Sequence, residues 1–153
     1  MAPIETAYNN RVTEIRKGDK LLAIILSHDF DLPGIHFLTP GDFSQQFAYM
    51  QHPAGKIIPP HVHNPVARQV FYTLEVLFIK RGKLRVDLYD DDQVYLESRI
   101  LQAGDVILLA TGGHGFQVLE DLEMIEVKQG PYAGETDKTR FVGVSVDRLT
   151  IKQ

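Results

Sequence analysis

The sequence predicts an all-β protein, a sandwich, jelly roll or barrel, and three observations carry that reading. Apolar residues recur with a period of two, helical periodicity is nearly absent, and Gly or Asp turn signals return roughly every eight to twelve residues. At 153 residues the chain reads as a single domain, 1–153, long enough to bury a core without staples. It has none to offer, since cysteine is absent. That absence removes disulfides, thiolate zinc sites and cysteine nucleophiles together.

The elements follow in order. Arg11 to Lys17 and Leu21 to Ser27 read as strands separated by a Gly18-Asp19 turn. Gly34 to Asp42 reads as connecting structure. Phe43 to Gln51 alternates as a strand, with Phe43, Gln45, Phe47, Tyr49 and Gln51 on one side. Gly55 opens a turn, and Ile57-Ile58 leads into Pro59-Pro60. Glu75 to Ile79 and Lys83 to Tyr89 read as strands around a Lys80-Arg81-Gly82 turn. Asp90-Asp91-Asp92 predicts a hairpin returning through Val94 to Leu101, and Gly104-Asp105 turns the chain into Val106 to Leu109. Thr111-Gly112-Gly113 leads to His114, followed by strands at Phe116 to Leu119 and Leu122 to Gln129. In the tail from Pro131 to Gln153, Phe141 to Val146 is the strand candidate.

Composition narrows the function classes. The net charge is −4 and Lys and Arg are scattered, so no basic footprint for nucleic acid is visible. The longest apolar run, LLAIIL at 21–26, is far too short to span a membrane. The N-terminus lacks the basic start and apolar core of a signal peptide, which makes a cytoplasmic location the expectation.

The chemistry concentrates in four residues. His61-Val62-His63 places two imidazoles two residues apart, and on a strand such residues share a face. Glu75 opens the next strand, and His114 follows a glycine pair. Three neutral nitrogens and a carboxylate suit one divalent ion such as Zn, Fe, Mn or Ni, and leave room for water or substrate. His28, His36 and His52 have no comparable partners in sequence and read as surface or core histidines.

These residues and their flanking glycines resemble the cupin superfamily. Five residues separate Gly55 from His61-Val62-His63, and Glu75 is followed by six residues and then Gly82 in EVLFIKRGKLRV, as in the first cupin motif. Gly104, then Gly112 and His114, resemble the second. The resemblance covers about residues 43–128 and implies a double-stranded β-helix, or jelly-roll barrel, with His61, His63, Glu75 and His114 as metal ligands. Three features depart from the pattern. The gap from His63 to Glu75, NPVARQVFYTL, is longer than usual; Ala110 stands in place of the proline; and His114 comes one residue early. Gln69, inside the long gap, is the alternative fourth ligand. The stretch IEVKQGPYAGETDKTRF is similar to one in small cupins found near bacterial surface-sugar biosynthesis genes.

Arg68 could hold a carboxylate or phosphate bidentately, and Gln69 or Tyr72 could relay a proton. Three functions stay open at this point. One is a metal-dependent enzyme of isomerase or oxygenase type acting on a small polar or anionic molecule such as a sugar derivative. The second is a non-catalytic module for a small ligand or metal. The third is a structural jelly roll whose histidines bond to one another. Apolar edge strands need cover, so a homodimer is expected, with Arg11 to Ser27 as the contributing segment.

Overall fold

The computed structural model describes residues 8–153. They form two compact units, residues 8–30 with 72–153, and residues 31–71. Both are built from strands; the only helical structure among the described residues is two short 3₁₀ turns, Gly134–Asp137 and Val146–Arg148.

The larger unit is a seven-stranded mixed sheet. Its strands are β1 (Val12–Lys17), β2 (Lys20–Leu26), β5 (Glu75–Tyr89), β6 (Tyr95–Gln102), β7 (Val106–Leu109), β8 (Gly113–Lys128) and β9 (Ile151–Lys152). They run in the order β1-β2-β7-β5-β6-β9, with β8 added along β5. The β1–β2 hairpin forms as the alternation predicts, closed by Gly18 at φ +58°.

β5 organises the sheet. Along one edge it pairs first with β7, over Glu75–Phe78, and then with β6, over Lys83–Tyr89; along the other it pairs with β8 for its whole length. The sequence predicts two strands here and a turn at Lys80-Arg81-Gly82. The chain instead runs through, and the glycine serves a bulge: the β5–β8 register slips three times between Ile79 and Leu84, and Gly82 sits at φ +85°. The two strands expected between Phe116 and Gln129 are likewise one, β8, which passes opposite that bulge.

Residues opposite one another in an antiparallel ladder share a face. Leu77, Ile79, Leu84, Val86 and Leu88 all point to one face of β5 and are almost fully buried. They form the core with Ile15, Ala23, Leu101, Ile107 and Leu109. Each such side chain, moved from water into this core, contributes about 1.5–3 kcal/mol. β8 is open by contrast: Val118, Ile125 and Val127 are each more than half exposed.

Polar groups fasten the other face. Asp87 is buried and accepts two bonds from Arg85, at 2.8 and 3.0 Å, and one from Ser98 Oγ at 2.5 Å. Arg85, opposite the core face, is thereby held out of solvent. Tyr95 joins Ser98 at 2.8 Å and accepts the Thr150 N–H at 2.9 Å, which brings the tail alongside β6. The tail strand is β9, paired in parallel at Ser98 and Arg99, and not Phe141 to Val146. Only the last residues of the tail reach the open backbone of β6.

The smaller unit holds β3 (Gly34–Phe37) paired with β4 (Ala48–Gln51). The Gly34–Asp42 region, expected as connecting structure, thus begins with a strand. The strand expected over Phe43 to Gln51 is confined to its last four residues, because the earlier ones are committed to a turn. Gln46 donates to the carbonyls of Pro40 and Phe43, and Thr39 Oγ1 accepts the Phe47 N–H at 3.0 Å. No strand forms between Pro53 and Leu74. Pro53, Pro59, Pro60 and Pro65 cannot donate to a ladder, which opposes one there.

Candidate metal centre

In the sheet unit, Glu75 and His114 meet. Glu75 is the first residue of β5, on the core face with Leu77 and Ile79, and its carboxylate is buried. His114 is the second residue of β8, opposite Leu88 and so on the same face. His114 Nε2 lies 3.2 Å from Glu75 Oε2. The contact is not local. Glu75 and Leu88 are thirteen residues apart on β5, a span of about 43 Å were the strand straight. The β5–β8 ribbon must therefore curl back on itself, and the bulge at Gly82 is where its register breaks. The sheet is a half-barrel for this reason, as a barrel fold requires.

A third group completes this corner. Lys128, the last residue of β8, is opposite Glu75 in the ladder, with its Nζ 3.4 Å from Glu75 Oε1 and 3.3 Å from Glu126 Oε1. The His114 hydrogen bond holds the Glu75 carboxyl below its ordinary value. Burial works against that shift, and the His114 and Lys128 charges add to it. For Lys128, burial acts downward but is outweighed by Glu75 and Glu126, so its ammonium is held above the usual range. The corner thus contains an ionised carboxylate, an imidazole and an ammonium against an apolar wall, where charge interactions are stronger than in water.

In the smaller unit, His61 and His63 lie side by side with ring centroids 5.1 Å apart. They are exposed and belong to no strand, so the shared strand face expected of them is not what pairs them. His61 Nδ1 lies 3.3 Å from the Pro59 carbonyl. A carbonyl oxygen only accepts, so Nδ1 is the donor in that contact, and Nε2 is the ring nitrogen left to face a ligand. Arg68 and Gln69 are exposed on the same strandless segment, and Arg68 Nη1 donates to the Val66 carbonyl at 3.3 Å. Tyr72, in the sheet unit, is 73 % exposed.

The four expected ligands therefore stand as two pairs, Glu75 with His114 and His61 with His63. Among the described residues, neither unit by itself gathers three His, Asp or Glu side chains around one point. The donor chemistry within each pair suits a divalent ion of the Zn, Fe, Mn or Ni type. Nothing in the sequence singles out Lys128, although the alternation of β8 already sets it on one side with Met124 and Glu126. Its opposition to Glu75 depends on a register that no local pattern encodes. His28, expected as a surface or core histidine outside the ligand set, bonds through Nδ1 to buried Asp105 at 3.0 Å, and Asp105 also accepts the backbone N–H groups of His28 and Gln102. That cluster fastens the turn before β7.

Comparison with family models, with curated proteins and with solved structures returns no match for the chain.

Proposed function

We propose that this chain is a small metal-binding cupin: a jelly-roll barrel that takes one divalent ion on His61, His63, Glu75 and His114. The observation that supports this most is the 3.2 Å approach of His114 to buried Glu75. Two donors thirty-nine positions apart in sequence are brought together on an apolar face by the curl of a long ribbon. A buried carboxylate is retained only with charge partners, and a bound cation is one such partner. The cupin spacing of Gly55, the His pair, Glu75, Gly82 and His114 adds the other two donors. Where Lys128 keeps Glu75 to itself, Gln69 is the alternative fourth ligand.

Bound there, the ion would supply Lewis acidity toward a carbonyl or enediol, or activate water or oxygen. The reading that follows is an isomerase- or oxygenase-type enzyme acting on a small polar or anionic molecule such as a sugar derivative. In it, Arg68 grips an anionic group and Gln69 or Tyr72 moves a proton. The chain works as a homodimer in the cytoplasm, with β1 and β2 as the contributing strands. The alternative is a non-catalytic ligand or metal module. The Lys128 ammonium beside Glu75 favours the ligand form of that alternative, because it offsets the carboxylate without an ion.

The test is elemental analysis of tag-free protein, before and after reconstitution with Zn, Fe, Mn and Ni, beside His61→Ala and His114→Ala. About one ion per chain, lost in both variants, is the expected result at a site of this ligand type. No ion in the wild type under any loading overturns the proposal. Water-proton relaxation of the Mn-loaded protein then separates the two roles, because an enzyme keeps an exchangeable water on the ion and a filled shell does not.

A further inference from the structure

The tail makes a contact that neither the fold nor the proposed ligand set accounts for. Gly112 and Gly113 precede His114, and only Gly112 adopts a positive φ, +75°. Gly113 is ordinary strand backbone, opposite Tyr89 in the β5–β8 ladder. Its lack of a side chain is explained by space. A Cβ built there would lie 2.9 and 3.1 Å from Cζ and Cε1 of Phe141. The Phe141 ring also stands edge-on to Tyr89, centroids 5.0 Å apart and planes at 85°. Three residues on, the Val144 N–H donates to the buried Tyr89 hydroxyl at 2.9 Å. Phe141 and Val144 are the part-buried residues of this stretch, while Val142 between them is 96 % exposed.

We infer that Phe141 and Tyr89 are positioning residues, clamping the 141–144 segment onto Gly113 and so holding His114 toward Glu75. Gly113 is covalently adjacent to His114 and opens β8, paired with β5 along one edge. The approach to it is tied down through Gly112 N–H to Asp91 at 3.0 Å and Thr111 Oγ1 to the Leu21 carbonyl at 2.8 Å, but neither bond reaches Gly113 or His114 themselves. The clamp supplies the restraint from the tail side, as groups behind a ligand do in fixing its orientation. The link to metal affinity rests on the proposed site; the link to the start of β8 does not.

The test compares Phe141→Ala, Phe141→Leu, Gly113→Ala and the exposed control Val142→Ala, with two readouts. The first is amide hydrogen exchange of residues 113–117 against residues 12–17 in β1. The second is Zn²⁺ affinity by competition with a chromogenic chelator. Phe141→Ala and Gly113→Ala are expected to speed exchange at 113–117 alone and to weaken Zn²⁺ binding about tenfold, the scale of an outer-shell loss. Phe141→Leu should fall between them and the wild type, and Val142→Ala should match the wild type. Unchanged exchange at 113–117, or an equal rise in β1, overturns the clamp. So does unchanged Zn²⁺ affinity in a variant whose exchange has risen at 113–117. Should the wild type bind no Zn²⁺, the metal proposal falls and the exchange comparison still decides the clamp. Gly113→Ala, which displaces the ring without deleting it, decides the matter if Phe141→Ala does not fold.

Discussion

Replacing Gly82 by alanine should cost the sheet far more than the same change at another glycine of like conformation. Gly82 sits at φ +85° in the β5 bulge, and a Cβ there would lie 2.1 Å from the Asp121 carbonyl oxygen and 2.9 Å from that of Glu120. The left-handed backbone alone costs an alanine about 1–2 kcal/mol. The contact adds to it, because the oxygen belongs to β8 backbone and cannot rotate away. It must retreat by more than 1 Å to reach ordinary contact distance. Overpacking of this kind costs about 1–3 kcal/mol, so the total is about 3 kcal/mol. Gly18 is the control: φ is +58° in the β1–β2 hairpin, and a Cβ added there would meet nothing within 4 Å, so Gly18→Ala should cost about 1 kcal/mol. Urea unfolding of both variants, followed by circular dichroism, measures the difference, with an unchanged slope showing that the unfolded state is not altered. Equal costs for the two, to within about 0.5 kcal/mol, would refute the claim that β8 backbone closes over Gly82.

Two other outcomes follow from the polar groups along β6. Burial raises the Glu97 carboxyl, but its bonds to Lys152 and Arg99 outweigh that and leave it below its ordinary value. Its folded pKa is thus below its unfolded one, so its stabilisation is full above the unfolded carboxylate range and fades as pH falls through the folded value. Glu97→Gln should flatten the acid limb of a urea-midpoint profile between about pH 5 and 3, and an unchanged limb would show that Glu97 contributes nothing to it. Tyr95→Phe removes the hydroxyl that accepts the Thr150 N–H and meets Ser98, and should cost about 1 kcal/mol with faster amide exchange at residues 150–152. Normal protection of those amides would mean that the β6–β9 ladder alone holds the tail.

How far the sequence could be read depended on the range of the interaction. Hairpins and turns are local, and β1, β2, β7 and the Asp90 turn appear where alternation and Gly or Asp signals put them. Lys80-Arg81-Gly82 carries the same signal as a turn, because a bulge glycine and a turn glycine satisfy the same φ requirement; only the presence of β8 alongside decides between them. His61-Val62-His63 alternates like a strand, yet the surrounding prolines oppose a ladder there. Glu75 and His114 could be singled out from their spacing to glycines, and they do meet. Lys128, Asp87 and Phe141 could not be assigned roles, since each gains its partner from register or from a returning tail.

The topology also orders events on the ribosome. Ala23 pairs with Leu109, eighty-six positions later, so β2 must wait for most of the chain before its second ladder can close. The β5–β6 hairpin closes across only the Asp90 turn and can form early, but β5 then lacks a partner along the edge that β8 will occupy. Until residues 113–128 emerge, that edge is bare and Glu75 has neither His114 nor Lys128 beside it. The nascent chain therefore passes through an interval in which the β5 edge is unpaired and Glu75 is still open to water, and the arrival of one strand ends both conditions.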